Sequence, residues 1–558
     1  MDTRWDKFSR VLRAYTIEEK VMSVIILGMV TFLTLQSFVD FTRSSDVLVQ
    51  GGGYTEGFVS DKPTLLNPLF VDFAESSRDI SALIFSGLAK YDPEKKIFVD
   101  DLATLRISPD RTIYKFFLKK DLFWHDGQPL TADDVYFTFH DVIQSPEFQN
   151  PILHVNFEGI EVHQIDSSTI EFKLKKPNSF FITNMNVGIL PKHLLSGAQI
   201  AQLPTNPFNL RPIGSGPYKI ESPMEIFDDG KQKVTLSSFD RYYGIKPKIS
   251  QIRFTVYPDD ESLLKEKKSL NIISKVSSLV APDLQKSGKF HFSFYELPQY
   301  TAVFFNMDRP LLKKSKIRVA LLKAVDKTQL LKLFRDKIAV DTPLLELNQS
   351  DWIYKTNVKE AQGSLFDAGY KLPANQTSGI RKDSKNNPLQ LVLLTRAYDQ
   401  GSVLFEETKK VTDFLKSSWA AIGVDVTVSS VDELSFREHL ANRDYDMILT
   451  GQGLGYNLDT YSYWHSSQAS STGLNLSNYE SFAADQLIQG VRDTFDAGQK
   501  DLKLQQLAKV LAGEIPAIFL YRPQYIFAND DKVKGISLGN LAFPSDRFAH
   551  IERWCVGC

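Results

Sequence analysis

The chain has 558 residues, which is too many for one ordinary core and predicts two or three lobes. Its apolar fraction of 43% and charged fraction of 24% are those of a globular protein, and a formal net charge of −2 excludes a nucleic-acid binder that relies on an overall basic surface. The 39 Phe and 21 Tyr are a rich aromatic supply, which either fills a core or lines a pocket that holds a ligand by flat contact.

The first element along the chain is an apolar run from Val21 to Val39 that contains no charged residue. Its 19 residues are close to the roughly 20 helical residues that cross a bilayer core. The basic residues that precede it are Arg4, Lys7, Arg10, Arg13 and Lys20. This bias keeps the N-terminus in the cytoplasm and the remainder outside. We therefore predict a cytoplasmic basic segment at 1–20, a transmembrane signal anchor at 21–40 and a tether at 41–52.

A cleaved signal peptide is the alternative to this anchor. Such a peptide has an apolar core of about 7–15 residues and a cleavage site of small residues. The run here is longer, and SFVDF, residues 37–41, contains no such site. No cysteine stands directly after the run, which excludes an anchor of the bacterial lipoprotein kind. The sequence predicts a single-pass protein of the cell membrane whose main domain is extracytoplasmic, in the periplasm or at the cell surface.

The stretch WHDGQPLTADDVYFTF, residues 124–139, predicts a tight turn followed by the start of a helix. Asp126-Gly127 is a turn signal, because glycine adopts positive φ at no steric cost. Thr131 stands at the N-cap position, and Asp134 three residues later nearly completes a capping box. Apolar residues then recur at helical spacing and give the helix one apolar face.

Later segments predict a mixture of strands and helices. Residues 170–174 and 252–256 alternate apolar with polar side chains, as half-buried strands do. LQLVLLT, residues 389–395, is nearly continuously apolar, which predicts a strand buried on both faces. A helix from about Val403 to Ala421 and a strand at 424–430 follow it, and such a β-α-β unit forms a parallel sheet. Further helices are predicted at 317–334 and 502–511. The pattern is that of an α/β protein with mixed sheets.

Several longer segments match a known family. The main one is DDLATLRISPDRTIYKFFLKKDLFWHDGQPLTADDVYFTF, residues 100–139. The others include LLNPLF at 65–70, ILPKHLL at 189–195, IGSGPYKI at 213–220, RYYGIKPKISQIRF at 241–254 and DYDMILTGQGLGYNLDTYSYWHSSQ at 444–468. Together they resemble the extracellular solute-binding proteins of family 5, the capture subunits of ATP-driven importers of peptides and nickel.

The resemblance implies a two-lobed clamshell of the type II periplasmic-binding-protein class, with an extra domain inserted in the first lobe. The expected divisions are 53–90, 213–300 and 518–558 for lobe I, 91–212 for the inserted domain and 301–517 for lobe II. The implied function is capture of oligopeptides between the lobes by hinge closure and their delivery to the permease of an ABC importer. A hinge can be driven closed only by contacts that exist in the closed state alone.

The resemblance also implies where the ligand binds. In peptide-binding members an aspartate of the segment D-Y-x-x-D-P holds the ammonium group of the ligand, and this segment falls on residues 455–460. The aspartate position is Gly455 here, a departure that puts amine capture of the usual kind in doubt. Asp459 is a substitute for it, and Asp444 and Asp446 are alternatives, although Asp444 also suits a solvated turn.

The other candidate ligand-binding residues each have a structural alternative. Tyr456, Tyr461 and Trp464 are candidate cleft aromatics, and packing between domains is their alternative. Asn67 and Asn306 are also candidates, unless they cap backbone groups. Arg396 follows a buried strand, where ligands of α/β proteins tend to bind, and it suits a ligand carboxylate or a surface salt bridge.

Other classes of function find little support in the sequence. It contains no H-E-x-x-H, G-x-S-x-G or P-loop motif, and we predict no catalytic residue, no cofactor and no resident metal. A glycosidase would need two facing carboxylates about 5–10 Å apart. A nickel complex is an alternative solute, for which His465 is the one histidine of the segment 444–468, and a membrane-tethered receptor or chaperone without transport is an alternative role. The pair Cys555 and Cys558 suits either a redox or metal site or an incidental, locally oxidised pair.

Overall fold

A computed structural model of the protein describes residues 52–60, 64–71, 75–471 and 473–558. The predicted basic segment, the predicted anchor and all of the predicted tether except Gly52 lie outside these residues. Among the helices that are described, none is both long enough and apolar enough to cross a bilayer.

The strands follow one another along nearly the whole described chain. They are β1 (Gly53–Val59), β2 (Ala89–Asp92), β3 (Ile97–Asp100), β4 (Ala103–Ile107), β5 (Ile113–Leu118), β6 (Glu161–Asp166), β7 (Thr169–Lys173), β8 (Tyr218–Ile220), β9 (Glu225–Ile226), β10 (Gln232–Ser238), β11 (Gln251–Tyr257), β12 (Ile272–Val276), β13 (His291–Glu296), β14 (Gln299–Phe305), β15 (Lys337–Ala339), β16 (Gln390–Arg396), β17 (Asp425–Val431), β18 (Met447–Gly453), β19 (Ala517–Asn529), β20 (Val533–Lys534) and β21 (Cys555–Val556).

The α-helices lie between these strands. They are α1 (Glu75–Ile84), α2 (Ala132–Tyr136), α3 (Pro151–Phe157), α4 (Lys192–Leu195), α5 (Asp260–Glu266), α6 (Ala281–Lys286), α7 (Ser315–Ala324), α8 (Lys327–Leu331), α9 (Val358–Asp367), α10 (Val403–Ala420), α11 (Glu433–Asn442), α12 (Tyr461–Trp464), α13 (Phe482–Arg492) and α14 (Ala497–Glu514). A π-helical turn covers Phe137–Ile143, and the longest 3₁₀ segment covers Pro544–Arg553.

The largest sheet extends through two lobes because one strand is shared between them. Its central order is β17-β16-β18-β14-β19-β12-β1-β11-β10-β8. The first part of β19, from Ala517 to Tyr521, pairs with β14, while its last part, from Gln524 to Asn529, pairs with β13. We call the part built on β1 and β8–β13 the first lobe, and the part built on β14–β18 the second lobe. Only Leu297 and Pro298 separate β13 from β14, so this connection also crosses between the lobes.

A separate sheet of order β4-β5-β7-β6 precedes β8. We call residues 103–210, which carry it, the inserted region. Its core is continuous with that of the first lobe, since Phe116 and Phe172 belong to the same buried apolar cluster as Ile252 and Phe254. The second lobe has apolar cores on both faces of its sheet. Side chains alternate along β14, with Val303 and Phe305 on one face and Tyr300, Ala302 and Phe304 on the other.

Most local predictions from the sequence are confirmed. The predicted strands at 170–174 and 252–256 correspond to β7 and β11. The predicted turn places Gly127 at φ +91°, and the backbone N–H of Thr131 donates to Asp134 at 3.0 Å, ahead of α2. Strands β16 and β17 are parallel on either side of α10, which is the predicted β-α-β unit.

Two local predictions are wrong in detail. The predicted helix 317–334 is interrupted, because Asp326 accepts a hydrogen bond from the backbone of Gln329 and so caps a new helix, α8. Strand β16 is not buried on both faces throughout, since Val392 is 40% exposed. Burial alternates along the start of the strand, with Leu391 and Leu393 buried and Gln390 and Val392 exposed, so only one face of this part is covered.

The C-terminal residues pack against the first lobe. Cys555 and Cys558 form a disulfide, and β21 pairs with β20. Just before it, the Arg547 side chain is only 1% exposed and bridges Glu56 of β1, at 2.5 Å, and Asp79 of α1, at 2.8 Å. Ser274 of β12 donates to the same Glu56 carboxylate. This buried network joins three elements of the first lobe to the C-terminal segment.

We expect the variant Arg547→Met to lower the free energy of unfolding by about 3–5 kcal/mol, because it leaves two buried carboxylates without their cation. Urea unfolding of the full chain measures this loss. Arg553→Met is the matched control, since its ion pair with Glu94, at 2.7 Å, is about half exposed on both sides and is worth roughly 0–1 kcal/mol. Equal unfolding midpoints for the two variants would contradict the expectation.

Candidate functional site

A cavity of about 600 Å³ lies between the two lobes. Its walls come from helix α1 and the C-terminal 3₁₀ segment of the first lobe, from residues 150–188 of the inserted region and from the second lobe. The second lobe contributes mainly residues 453–463, which follow β18 and which we call the cleft segment. This volume is within the range of pockets that bind small ligands.

The cleft segment crosses to the first lobe at Tyr456. The Tyr456 ring lies 4.8 Å from Phe543, 5.3 Å from Tyr91 and 5.4 Å from Phe98, measured between ring centroids. We call these three rings the Tyr456 socket. The Tyr456 hydroxyl also donates to Asp546, so one side chain of the second lobe makes both apolar and polar contacts with the opposite wall.

Both oxygens of the Asp546 carboxylate accept hydrogen bonds from the protein. One oxygen accepts the Tyr456 hydroxyl, and the other accepts the backbone N–H groups of Ala542 and Phe543, both at 2.8 Å. Burial raises the pKa of Asp546 to about 6, against these hydrogen bonds, which lower it. Burial and the neighbouring Asp546 also raise the pKa of the Tyr456 hydroxyl well above its ordinary value.

A second contact holds the lobes together outside the cavity. Phe180 of the inserted region is buried in the core of the second lobe, with the ammonium group of Lys500 lying 3.6 Å from its ring centroid. Beside it, the backbone N–H of Ser179 donates to the carbonyl of Arg492 at 2.8 Å. The inserted region and the second lobe are therefore also in contact through residues that do not line the cavity.

The other end of the cavity carries aromatic and charged groups from the first lobe and Lys119 of the inserted region. The Tyr243 hydroxyl donates to Asp101 at 2.6 Å, and the Lys119 ammonium lies 5.2 Å from the Tyr243 ring. Burial raises the pKa of Asp101, although Lys90, Tyr243 and Lys119 oppose the shift. This end thus combines flat apolar surfaces with both signs of charge.

Comparison with known proteins identifies the family. The profile described as "Bacterial extracellular solute-binding proteins, family 5 Middle" matches residues 98–473. The chain belongs to this family.

Two curated relatives illustrate the likeness of the family 5 members. The oligopeptide-binding protein AppA of Bacillus subtilis is 27% identical over 523 residues, which cover 90% of this chain and 92% of AppA. The dipeptide-binding protein of Escherichia coli K12 is 24% identical over 467 residues, which cover 77% of this chain and 81% of that protein.

Solved structures of similar proteins have the same fold. The B. subtilis AppA structure, in complex with a nonapeptide, is 26% identical with a TM-score of 0.71, covering 91% of this chain and 99% of AppA. NikZ from Campylobacter jejuni, in complex with Ni(L-His), is 25% identical with a TM-score of 0.73, covering 91% of this chain and all of NikZ. The two-lobed fold implied by the sequence resemblance is therefore confirmed.

The packing around position 455 explains why a glycine stands there in this family 5 protein. Its φ is +56°, in the left-handed region that favours glycine, and a Cβ built there would overlap the Phe543 ring, 2.9 Å from Cε2. An aspartate at this position would therefore displace a ring of the Tyr456 socket. The departure from the expected pattern is linked to how the cavity wall is packed.

Asp459 lies on the cavity wall, as the sequence predicts for a ligand contact, but it already has a cationic partner. It is 6% exposed, and its carboxylate lies 3.0 Å from Nε of Arg492. The backbone N–H of Tyr461 donates to its other oxygen at 3.0 Å. Burial raises the pKa of Asp459, while the Arg492 guanidinium lowers it. An ammonium group of a ligand would have to compete with Arg492 for this carboxylate.

The two other aromatic candidates lie behind the cavity wall. The Tyr461 ring packs under the guanidinium of Arg492, 4.3 Å away, and its hydroxyl lies 3.0 Å from that of Ser467. Trp464 is 1% exposed and packs between Phe304 and Phe519 in the core of the second lobe. Both side chains therefore pack against other residues of the protein, which is the alternative to ligand contact.

The remaining predicted candidates are not among the residues that line the cavity. The Asn67 amide donates to Asn209 at 3.0 Å, and the Asn306 amide donates to the carbonyls of Arg443 and Tyr445 at 3.0 Å each. Arg396 pairs with Glu433 at 2.7 Å. The alternatives Asp444 and Asp446 both lie near Arg309, at 2.8 and 3.6 Å. Ligand binding by Tyr461, Trp464, Asn67, Asn306 and Arg396 stays a prediction.

Several wall residues are not identifiable from the sequence as ligand contacts. Tyr242 and Tyr243 belong to the segment RYYGIKPK that carries the family resemblance, and this membership is the only sequence signal for them. Arg78 and Ser81 of α1 also line the cavity. In the sequence, these two residues are three positions apart, which on a helix places them on the same face. The spacing does not show what that face contacts.

One group in the described part of the chain has the composition of a metal site. The ligand atoms of Asp92, Glu94 and His550 all lie within 4.8 Å of one another on the first lobe. Both carboxylates already have cationic partners, since Lys95 lies 3.3 Å from Asp92 and Arg553 lies 2.7 Å from Glu94. We therefore interpret this group as an ion-pair network.

We expect Gly455→Ala to loosen the contact between the cleft segment and the C-terminal 3₁₀ segment, because its methyl group overlaps the Phe543 ring. Overpacking of this kind costs about 1–3 kcal/mol, so amide exchange in residues 454–463 and 541–549 of the full chain should accelerate roughly ten- to hundredfold. Hydrogen-exchange mass spectrometry measures both segments.

Gly453→Ala is the matched control for this experiment. It lies two residues earlier, and a Cβ there meets no atom within 4 Å. Its exchange should remain close to that of the unaltered protein. If Gly455→Ala behaves like this control, Phe543 does not restrict the position.

Proposed function

We propose that this protein is the extracytoplasmic substrate-binding subunit of an ABC importer, and that it captures oligopeptides between its lobes and delivers them to a permease. The observation that carries the proposal is a cavity lined by residues of both lobes in a family 5 chain. That the solute is a peptide is supported by relatives that are named oligopeptide- and dipeptide-binding proteins, and by a solved relative in complex with a nonapeptide.

The fold offers a hinge for this capture. Only β19 near residues 521–524 and the connection at 297–298 are needed to join the two sheets, and small changes of φ and ψ there would separate the cavity walls. Contacts such as Tyr456 with its socket exist only while the walls are together, so they favour closure along with the ligand. The division into lobe I, inserted domain and lobe II at the predicted boundaries is part of this proposal.

The cavity wall suits an extended peptide. Strand β18 pairs with β16 only at Met447 and Ile448, so the backbone from Leu449 to Gly453 has a sheet partner on one side alone among the described strands, and Gly453 at its end lines the cavity. Such an edge can satisfy the N–H and C=O groups of a peptide whatever its side chains. The side-chain amides of the wall, at Asn150, Asn156, Asn184 and Asn186, both donate and accept hydrogen bonds. Tyr456 and Asp459 are the predicted contacts that we assign to the ligand.

A nickel complex is the second candidate solute, because NikZ is as similar in fold as AppA is. Among the described residues, however, none that lines the cavity is a histidine, cysteine or methionine. A metal complex bound here would have to bring its own nitrogen or sulfur ligands. The peptide proposal is therefore favoured by both the relatives and the wall.

Membrane attachment through the apolar run at 21–39 belongs to the same proposal, as does the absence of enzymatic activity. Attachment to the membrane would keep a binding subunit beside its permease. A receptor or chaperone would need no permease. We expect the mature protein isolated from membranes to have the intact mass of the whole chain. A mature mass that lacks the first 40 or so residues would instead indicate a cleaved signal peptide.

Native mass spectrometry of the full chain tests the bound solute. We expect the purified protein to carry a heterogeneous set of peptide masses that disappears on unfolding. A single small non-peptide mass would contradict the peptide proposal, and a nickel isotope pattern would favour the second candidate.

A further inference from the structure

Several strands of the first lobe begin or end at the same place. The start of β1 lies opposite the start of β11, because Gly53 pairs with Gln251. The start of β12 lies on the other side of β1, since the backbone N–H of Asn271 donates to the carbonyl of Thr55 at 2.8 Å. Strand β19 is antiparallel to β12 and β13, so it ends where they begin. The loops that flank these strands therefore meet at one end of the sheet.

Lysines are concentrated in these loops. They precede β11, β12 and β13 and follow β19, and they are Lys246, Lys248, Lys267, Lys268, Lys289, Lys532 and Lys534. This concentration is local, because the whole chain has a formal net charge of −2. We call this group of lysines the basic end of the first lobe.

The lysines of the basic end crowd one another. The ammonium group of Lys289 donates to the carbonyl of Lys268 at 2.8 Å and also to that of Leu270. Burial lowers the pKa of Lys289, and the nearby Lys532 lowers it further, although Asp530 opposes the shift. Like charges at such short range repel one another, and an anion bound among them would offset the repulsion.

Acidic side chains of the protein do not neutralise this group. Four of its members are exposed and have no carboxylate within ion-pair distance in the described part of the chain, namely Lys246, Lys248, Lys268 and Lys532. Of the two aspartates that follow β19, Asp530 is buried and accepts the Asn271 amide at 2.8 Å. Asp531 is shared between His291 at 2.9 Å and Lys534 at 3.6 Å. The basic end therefore has cations to offer to an external anion.

The chain outside the described residues enters the fold at the basic end. Gly52 directly precedes β1, and both the backbone N–H and the hydroxyl of Ser250 donate to its carbonyl at 3.0 Å. The residues between the predicted anchor and Gly52, 41–51, span at most about 40 Å when fully extended. A chain attached through this anchor would keep the basic end within reach of the bilayer surface.

An exposed apolar side chain accompanies the lysines. Ile245 is 75% exposed and directly precedes Lys246. An apolar group beside lysines suits a bilayer surface, where the apolar group enters the headgroup region and the ammonium groups meet lipid phosphates. Ile245 also lines the cavity, as do Tyr242 and Tyr243 before it, so one segment joins the cavity wall to the basic end.

We propose that the basic end of the first lobe docks on anionic phospholipid headgroups of the membrane to which the chain is attached. A cluster of lysines next to a membrane anchor binds such lipids through charge, and the anchor supplies a high effective concentration. Docking would hold the first lobe at the membrane, with the second lobe free to move about β19 and the cavity close to the permease. The inference rests on the proposed membrane attachment and adds the class of lipid that the first lobe recognises.

The test uses the full chain reconstituted in two kinds of nanodisc. One is made of phosphatidylcholine alone, and the other of phosphatidylcholine and phosphatidylglycerol in a three-to-one ratio. Each sample is exposed briefly to an acetylating reagent, and mass spectrometry measures the modification rate of each lysine. A lysine that contacts lipid phosphates reacts more slowly, because its ammonium group is covered and held in the protonated form.

We expect Lys248, Lys268 and Lys532 to react roughly tenfold more slowly in the mixed discs than in the neutral discs, since several lysines meet the anionic surface together. Raising the salt concentration to about 1 M should remove the difference, because the screening length then falls to about 3 Å. Exposed lysines of the second lobe should react at the same rate in both kinds of disc.

A combined variant tests which lysines are responsible. It carries the four substitutions Lys246→Gln, Lys248→Gln, Lys268→Gln and Lys532→Gln. In this variant Lys534 should react equally fast in both kinds of disc, because too few cations remain for docking. The matched control makes the same change of charge at four exposed lysines of the second lobe, with Lys355→Gln, Lys359→Gln, Lys385→Gln and Lys416→Gln. It should keep the slow reaction of Lys534, and thermal unfolding verifies that both variants fold.

Equal rates in the two kinds of disc, or an equal slowing at second-lobe lysines, would overturn the inference. The membrane attachment would then stand, since the chain is held in the discs, and the basic end would be an ordinary solvated surface. If the chain does not enter discs at all, the proposed attachment fails. Co-sedimentation of the full chain with vesicles of the mixed lipids then decides: binding that the combined variant loses supports the basic end, and no binding overturns it.

Discussion

Strand β19 pairs with both sheets, and the position of the two lobes depends on it. Its thirteen residues begin in the second lobe beside β14 and end in the first lobe beside β12 and β13. A continuous strand resists extension but twists and bends readily, so the two sheets remain at a fixed distance while their angle can change.

The closed arrangement is stabilised by a few side chains on the far side of that hinge. Tyr456 enters its socket and donates to Asp546, and Phe180 is buried in the second-lobe core beside Lys500. These contacts form without any group from a ligand. The free energy of closure is therefore shared between the protein and its solute, which lets different solutes be held as long as they fit the remaining space.

The packing around Phe543 connects the two unusual features of the wall. The ring occupies the space beside Gly455, so no aspartate fits there, and it also contacts the Tyr456 ring and the Arg78 guanidinium. The same side chain thus excludes a negative group and orients a positive one.

Local patterns in the sequence were sufficient for most elements, because a helix or strand is determined largely by neighbours along the chain. The capping of α2, the alternation in β7 and β11 and the β-α-β unit at 390–431 were all predictable in this way. The errors fell where packing of distant segments on a sheet face decides, as at Val392, whose face of β16 is not covered. They also fell where a side chain caps a new helix, as at Asp326.

The family and its two-lobed fold were thus determined by the sequence itself, through segments that match a known pattern. Which side chains face the solute was decided only by the tertiary structure. Trp464 and Tyr456 stand eight residues apart in one segment, yet one lies in a core and the other on the cavity wall. Arg78, Gly455 and Phe543 meet although several hundred residues separate the first from the others, and no local pattern contains that encounter. A binding wall is assembled from segments that only folding brings together, and so its chemistry depends on the folded chain.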